Sequence, residues 1–468
     1  MSLVTHLTCV QCGQRIMPGG PMTCPSCGPD DGILDVQFDL AEAGKTLTLE
    51  ALAFRDLSHW RYQELLPLPM DSRPVQPQVG WTPLIEAPRL AKALGIGRLR
   101  LKDDGRNPSG SFKDRPSSLA VAMAIAGPKA LLERTTVRRD MAHCLDADSC
   151  GEMTLDALAA GMKAGESPNQ RQPAVSEPVP AIACASTGNA ASSLACSAAA
   201  AGLACYIFVP GTVPEGKLAQ LLAYGATVFK IARGYAAAYD LCNQACAAFG
   251  WYNRNCAINP YLVEGKKTGG LELAEQCAED PPDWVAASVG DGCSIAGVAK
   301  GLRQMREIGL IDWSAKMLGV QAAGCAPVGD VWRRVVGGDE KAKLVIEAGA
   351  TTYADSINCP VPRNWRKAVT EVAGSGGAYV AVSDRQIMDA VPLTGRLTGV
   401  FAEPAAAAAV AGVAEAVRQG LIGPKSSVVA MITGNGLKDT AGALKAVGQA
   451  HEIEPRLEAV ESVVKEGA

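Results

Sequence analysis

The stretch LRLKDDGRNPSGSFKDRPSSLAVAMAIA, residues 99–126, decides the fold. The segment from Leu99 to Lys102 predicts a strand, Asn-Pro-Ser-Gly at 107–110 predicts a turn, and the apolar run from Pro116 to Ala126 predicts a helix. Lys113 therefore lies at a loop-to-helix junction, where the positive end of the helix disfavours a charged amine. A lysine that loses its proton easily can act as a nucleophile toward a carbonyl group.

Lys113 has two interpretations on this segment alone. The commoner one for a short motif is an exposed lysine capped by Asp114. The other is an amine that forms a Schiff base with a carbonyl substrate or with pyridoxal phosphate. The rest of the chain favours the second interpretation.

The composition is that of a globular protein that acts on small molecules. The 468 residues, 48% of them hydrophobic and 20% charged, suffice for two or three domains. A net charge of −4 gives no broad attraction to nucleic acid or to anionic membranes, so we expect neither as a partner. Residues 1–10 lack a basic segment followed by an apolar core, which predicts no secretory signal and a cytoplasmic location.

Two CxxCG motifs near the amino terminus predict a structural zinc ribbon. Their cysteines have the spacing of a tetrahedral thiolate site, and glycine follows each second cysteine. The alternatives are a redox CxxC pair or two free pairs. Four thiolates leave no open position on the metal, so we expect a structural role. The predicted ligands are Cys9, Cys12, Cys24 and Cys27.

Short apolar runs alternate with helix-like segments through most of the chain, which predicts an α/β fold with doubly wound parallel sheets. A helix is also expected over 49–57, and a terminal amphipathic helix over 453–465. The polar segment between 127 and 180, with a possible helix over 153–164, is either a surface insertion near the site or a disordered insert. The predicted strands span 182–185, 204–209, 227–231, 284–289, 317–322 and 428–433.

Three further segments carry candidate chemistry. Ser186, Thr187 and Asn189 separate a strand from a helix, where they either receive a carboxylate or simply cap the helix. The glycine-rich turn at 290–294 follows a strand, and its exposed amides can bind phosphate. Its pattern is neither that of a dinucleotide site nor that of a nucleoside-triphosphate site. Thr433 follows a buried strand, and its hydroxyl either hydrogen-bonds a pyridine nitrogen or belongs to an ordinary turn.

Together and in this order, these four segments resemble the fold-type II pyridoxal-phosphate enzymes, and within them the threonine synthases. The resemblance covers about 81–446 apart from 127–180. It implies two doubly wound α/β domains preceded by a small zinc ribbon. The implied organisation is a ribbon over 1–33, a connector over 34–80, a large domain from 81–115 and 260–450, a smaller domain over 116–259 with an insertion at 128–180, and a C-terminal helix within 451–468.

The resemblance also implies roles for the residues. Lys113 forms the Schiff base with the cofactor, Asn189 contacts the cofactor's 3-hydroxyl, and Thr433 faces its ring nitrogen. Threonine synthases convert O-phosphohomoserine and water to threonine and phosphate, and Lys113 is expected to move protons between the substrate carbons. The cofactor phosphate is expected on Gly290, Asp291, Gly292, Cys293 and Ser294. The phosphorylated amino-acid substrate is expected on Ser186, Thr187, Lys102, Arg115, Lys266 and Lys267.

One position departs from the family pattern. Leu262 stands two residues after Asn259-Pro260, where the family often has an arginine that binds the substrate phosphate. A serine or threonine dehydratase, or a β-replacement enzyme such as a cysteate or cysteine synthase, is therefore an alternative. A non-catalytic homologue or a zinc-ribbon interaction protein is the alternative from another class. A homodimer is expected by resemblance only.

Overall fold

A computed structural model describes residues 2–69, 77–127, 180–211, 215–339 and 341–466. The predicted insertion at 128–180, with its possible helix over 153–164, lies outside these residues except for Pro180. The strands are β1 Val4–Cys9, β2 Arg15–Ile16, β3 Leu34–Phe38, β4 Leu84–Glu86, β5 Arg98–Asp103, β6 Ala181–Ala185, β7 Ala204–Pro210, β8 Thr227–Ile231, β9 Tyr252–Asn253, β10 Trp284–Ser288, β11 Lys316–Ala322, β12 Ala378–Val382 and β13 Ser427–Ile432.

The helices alternate with the strands through both α/β domains. They are α1 Gly28–Asp31, α2 Leu40–Thr46, α3 Leu49–Ala53, α4 Pro88–Leu94, α5 Asp114–Ala126, α6 Asn189–Ala200, α7 Glu215–Ala223, α8 Gly234–Phe249, α9 Tyr261–Gln276, α10 Cys293–Glu307, α11 Pro327–Val336, α12 Trp365–Gly374, α13 Asp384–Thr398, α14 Pro404–Arg418, α15 Thr440–Ala446 and α16 Leu457–Glu466. Short 3₁₀ segments span His59–Leu65, Asp104–Arg106, Asp355–Ile357 and Gly436–Asp439.

The amino-terminal segment forms a small antiparallel sheet in the order β2-β1-β3. The pairing of Cys9 with Leu34 starts the β1–β3 ladder. The ribbon therefore extends beyond the predicted boundary at residue 33, because its third strand comes from the predicted connector. The helix expected over 49–57 forms only over Leu49–Ala53, starting at a Thr48 cap.

The large domain is built on a six-stranded sheet in the order β12-β11-β10-β13-β5-β4, parallel except for the edge strand β4. The smaller domain has a parallel four-stranded sheet in the order β8-β7-β6-β9. The prediction of doubly wound parallel α/β sheets is confirmed. All seven strands predicted for these two sheets form within one residue of their expected ends, and β4, β9 and β12 were not predicted.

Helices α9 and α10 lie unusually close together on one face of the large sheet. A β-carbon at Gly270 would come within 2.0 Å of the carbonyl oxygen of Val298, and one at Gly301 within 2.4 Å of that of Lys267. Glycine is therefore required at both contacts. This contact sets the position of two site elements, because α9 carries Lys266 and α10 begins at the glycine-rich turn.

A buried carboxylate on α9 joins that helix to three other parts of the large domain, namely the segment before β4, strand β5 and the start of α5. Glu272 on α9 accepts hydrogen bonds from Lys102 on β5 and from both terminal nitrogens of Arg115 at 2.9 and 3.1 Å. It also accepts the backbone amides of Trp81 and Thr82, each at 2.7 Å. Burial alone would raise the pKa of Glu272, but the charges of Arg115 and Lys102 outweigh it and hold that pKa below its ordinary value.

We expect Glu272→Gln to lower the free energy of unfolding by about 3–5 kcal/mol, because it leaves two buried cations without their shared carboxylate. The loss of unfolding free energy is measured from the shift of the midpoint in urea denaturation. The control is Glu307→Gln, which removes a partly exposed pair with Arg303 and should cost less than about 1 kcal/mol. Equal losses in the two variants would contradict the role given to Glu272.

Candidate active site

A cavity of about 440 Å³ opens where the carboxyl ends of β6, β10 and β13 meet the start of α5. Ligands of open α/β sheets bind at such ends. The cavity brings together most residues predicted from the sequence, although they are separated by up to 320 positions in the chain. These are Lys113, Ser186, Thr187, Asn189, Lys266, Gly290, Asp291, Gly292, Cys293, Ser294 and Thr433.

Lys113 faces this cavity from the residue before α5. Its Nζ donates to the hydroxyl of Ser294 at 3.2 Å. Asp114 does not cap it, because that carboxylate accepts from the amide and hydroxyl of Ser109, each at 2.9 Å. Burial, followed by the positive charge of Lys266, lowers the pKa of Lys113 to about 8. The amine of Lys113 is therefore easily deprotonated, as predicted, and the causes are its burial and a neighbouring positive charge.

The glycine-rich turn presents the start of α10 to the cavity. Gly292 has a φ of 92°, and a β-carbon there would meet both Ala368 and the carbonyl of Asn364 at 3.0 Å. Amides in the first turn of a helix have no acceptor within the helix, and they bind anions. Asp291 holds the turn in shape, since its carboxylate accepts the amide of Arg363 and the side chain of Asn364, each at 2.8 Å.

Thr433 and Lys113 are held next to each other by the backbone. The carbonyl of Thr433 accepts the amide of Phe112 at 2.8 Å, and Ser111 pairs with Gly434 in a β-bridge. β13 and β5 are neighbours in the sheet, which brings the loop after β5 beside the end of β13. An amine and an uncharged hydroxyl therefore face one cavity from adjacent segments.

Asn189 lies at the start of α6 and contacts a residue that we did not predict from the sequence. Its side-chain nitrogen donates to the two carboxylate oxygens of Glu403 at 3.0 and 3.1 Å. Burial raises the pKa of Glu403 above its ordinary value. A charged residue directly before the buried, alanine-rich helix α14 was the signal that could have identified Glu403.

Three of the predicted cationic residues lie outside the cavity, which corrects the sequence-based assignment. Lys102 and Arg115 are fully buried against Glu272, and Arg115 also donates to Asp104 at 2.7 Å. Lys267 pairs with Glu264 at 2.6 Å. Their charges are matched by carboxylates that do not line the cavity.

Lys266 is the predicted phosphate ligand that does reach the cavity. Its Nζ contacts the sulfur of Cys256 at 3.3 Å, and it forms no ion pair with a carboxylate in the described part of the chain. Burial lowers the pKa of Lys266, but the neighbouring Cys256, Cys293 and Asp291 together outweigh burial, and the net shift is upward. Adjacent residues on a helix point about 100° apart, which explains why Lys266 and Lys267 differ so much.

Leu262 does not line the cavity but is fully buried in the apolar core of the smaller domain, in the cluster that includes Leu194 and Ile182. The guanidinium near the cavity belongs to Arg254 and not to position 262. It donates to Ser117 at 3.1 and 3.2 Å and lies 3.5 Å from the sulfur of Cys256. We did not predict Arg254 or Cys256 from the sequence, although both precede the Asn-Pro dipeptide by only a few residues.

The residues around the cavity fit pyridoxal phosphate. The set contains an amine with a lowered pKa at Lys113, a glycine-rich turn at 290–294 whose amides can bind an anion, and an uncharged hydroxyl at Thr433. Gly188 leaves additional room, because a β-carbon there would meet nothing within 4 Å. A phosphate group, an aldehyde and a pyridine ring each find a suitable chemical partner in this set.

The four cysteines of the ribbon also lie together. Their sulfur atoms are all within 4.8 Å of one another, and those of Cys12 and Cys24 are 3.8 Å apart. Zn–S bonds of about 2.3 Å in a tetrahedron place the sulfurs about 3.8 Å apart. The arrangement is compatible with a zinc ion.

The chain is similar in sequence to known proteins over most of its length. The family model described as "Pyridoxal-phosphate dependent enzyme" matches residues 75–434. The threonine synthase of Methanocaldococcus jannaschii is 31% identical over 98% of this chain and 99% of its own length. That of Methanosarcina acetivorans is 32% identical over 98% of each chain.

A solved structure shares the fold at lower sequence similarity. The processed form of threonine deaminase isoform 2 from Solanum lycopersicum superposes with a TM-score of 0.57 and 20% identity, covering 79% of this chain and 88% of the other. Within the residues that the structure describes, the helices are too short or too polar to cross a membrane.

Proposed function

The chain belongs to the family of pyridoxal-phosphate-dependent enzymes, and we propose that within this family it is a threonine synthase, which converts O-phosphohomoserine and water to threonine and phosphate. The convergence of Lys113, the turn at 290–294 and Thr433 on one cavity carries the proposal. The similarity to two threonine synthases over nearly the full length of each chain supports it.

Each site residue has a role under this proposal. Bound pyridoxal phosphate supplies the electron sink for chemistry at the substrate carbons. The turn at 290–294 would hold its phosphate, Thr433 would face its ring nitrogen, and Asn189 would contact its 3-hydroxyl. The lowered pKa of Lys113 leaves about a tenth of its amine neutral at pH 7. The same residue can therefore accept a proton at one substrate carbon and return it at another.

The substrate's two anionic ends need different partners. The start of α6, with Ser186 and Thr187, offers amides and hydroxyls to the amino-acid carboxylate. The γ-phosphate would bind Lys266, with Arg254 nearby, because both cations contact the sulfur of Cys256. In this proposal Lys266 supplies the charge that the resemblance led us to expect from an arginine at the position of Leu262.

One observation favours a second candidate. The apolar Leu262 removes the arginine expected for the substrate phosphate, so an amino acid without a phosphate is an alternative substrate. The reaction would then be that of a serine or threonine dehydratase or of a β-replacement enzyme. We further propose that the ribbon binds structural zinc and, on the resemblance alone, that the protein is a homodimer.

The decisive experiment is a substrate panel with the purified full-length protein and pyridoxal phosphate. We expect phosphate and threonine to form in equal amounts from O-phosphohomoserine. Lys113→Ala should lose both this activity and the visible absorption band of the lysine-linked cofactor. Ammonia and a 2-oxo acid formed from threonine, without phosphate release from O-phosphohomoserine, would instead identify a dehydratase. A protein that takes up no cofactor would refute the enzyme proposal altogether.

Lys266→Met should raise the KM for O-phosphohomoserine about 10- to 100-fold with a smaller change in kcat. The reason is that a charge-assisted hydrogen bond contributes about 1.5–3 kcal/mol. The matched control is Lys267→Met, since the adjacent lysine pairs with Glu264 outside the cavity and should leave KM unchanged. An unchanged KM in Lys266→Met would show that the phosphate binds elsewhere.

Metal analysis of the full-length protein should find one zinc per chain. The double variant Cys9→Ser, Cys12→Ser should lose it, because two thiolates hold zinc far less tightly than four. Cys359→Ser, which changes a cysteine outside the ribbon, serves as the control and should keep the zinc. Stoichiometric zinc in the double variant would rule out the ribbon as the metal site.

A further inference from the structure

Two cysteines of the cavity have a distinctive setting that the proposed reaction does not use. Cys256 and Cys293 both line the cavity, one just before α9 and the other at the first position of α10. The sulfur of Cys256 lies 3.3 Å from the amine of Lys266 and 3.5 Å from the guanidinium of Arg254. Cysteines beside cations and open to a cavity are the reactive ones.

Cys293 lies near Cys256 at the wall of the cavity. Its thiol donates to the carboxylate of Asp291 at 3.0 Å. The side-chain nitrogen of Asn364 donates to the same carboxylate at 2.8 Å and to the carbonyl of Cys256 at 3.3 Å, so one side chain connects the surroundings of the two cysteines. Both cysteines are free thiols that line one cavity, and joining them requires an S–S distance of about 2.05 Å.

The two thiols differ in acidity. The neighbouring thiol of Cys293, followed by the positive charges of Lys266, Arg254 and Lys113, lowers the pKa of Cys256 well below its ordinary value despite burial. Burial raises the pKa of Cys293. Cys256 is therefore the more easily ionised of the two, which suits it to be the nucleophilic cysteine and Cys293 to be the resolving cysteine.

We propose that Cys256 reacts with peroxides and that Cys293 resolves the product, so that oxidation closes a disulfide inside the cavity. The Cys256 thiolate attacks one oxygen of the peroxide and breaks the O–O bond, which gives a sulfenic acid and hydroxide. The hydroxide takes the proton of Cys293, forming water. The Cys293 sulfur then displaces the hydroxyl group from Cys256 as hydroxide. One peroxide is reduced and two cysteines are oxidised.

The disulfide would act on the turn that the cofactor phosphate is expected to use. Cys293 belongs to that turn, and its neighbours Gly292 and Asp291 have no free room, since Gly292 packs against Ala368 and Asp291 is held by Asn364. Pulling Cys293 toward Cys256 therefore distorts the turn rather than only its side chain. The oxidised protein should bind pyridoxal phosphate weakly and recover on reduction.

The test treats the full-length, zinc-loaded protein with one to two equivalents of hydrogen peroxide, with and without added pyridoxal phosphate. Tryptic digestion without reduction should yield residues 255–266 linked to residues 268–300, and fragmentation should place the link on Cys293 rather than Cys277. We expect less linkage when the cofactor occupies the turn, and loss of cofactor uptake that dithiothreitol reverses. Absence of this link after peroxide has oxidised other thiols of the chain would overturn the proposal.

A second measurement does not depend on any variant folding correctly. Alkylation of Cys256 by iodoacetamide should persist at pH 6–7, because a lowered pKa keeps the thiolate present at lower pH. Cys359 lines the same cavity, but burial raises its pKa, so it should react at least about tenfold more slowly at pH 7. If Cys256 and Cys359 were alkylated at equal rates, with the same pH midpoint of about 8.5, the proposal would be refuted.

Variants then assign the chemistry to the pair. Cys256→Ser should abolish the link and the peroxide sensitivity of cofactor uptake, whereas Cys359→Ser should leave both in place. Lys266→Met should slow alkylation of Cys256 about tenfold by removing the nearest cation. None of these readouts requires turnover, so a negative substrate panel would leave them intact. A link that survives in Cys256→Ser would assign the reaction to other thiols.

Discussion

The large domain depends on one buried carboxylate. Glu272 pairs with the positive charges of Lys102 and Arg115 and accepts the amides of Trp81 and Thr82 in the fully buried interior. A buried charge is tolerated only when it is paired and hydrogen-bonded, so this group ties together the segment before β4, strand β5, the start of α5 and helix α9. Lys113 is only two residues from Arg115. Its position over the cavity therefore follows from the pairing at Glu272.

The amino-terminal ribbon is joined to the same helices by a second set of buried charges. Asp35 on β3 lies 3.1 Å from Lys300 on α10, and Lys300 lies 2.7 Å from Glu264 on α9. Burial would raise the pKa of Asp35, but the charges of Lys300 and Lys367 outweigh it and lower the pKa. The ribbon thus contacts both helices that carry site residues, although it lies outside the cavity. A metal-bound fold would stabilise that contact without touching substrate.

The cations of this protein fall into two groups with different consequences. Lys102, Arg115 and Lys267 have carboxylate partners and stabilise the fold. Lys113 and Lys266 face the cavity, where a neutral hydroxyl and a cysteine sulfur are their near neighbours. Positive charge that is not fully matched by the protein attracts an anionic ligand and lowers the pKa of neighbouring amines and thiols. The same electrostatic feature thus explains the amine of Lys113 and the reactivity proposed for Cys256.

The order of motifs along the chain was sufficient to predict the α/β fold, the lysine at a helix start, the glycine-rich turn that leads into a helix at the cavity, and the clustering of the four CxxCG cysteines. These features are local, because strand periodicity, glycine turns and ligand spacing are determined by neighbouring residues. Which lysines line the cavity could not be predicted from neighbouring residues. Glu272 comes 170 residues after Lys102 in the chain, and Lys266 and Lys267 are adjacent but point about 100° apart on α9. Which charges are paired, and which remain in the cavity, is decided by contacts between distant segments, and only the tertiary structure contains them.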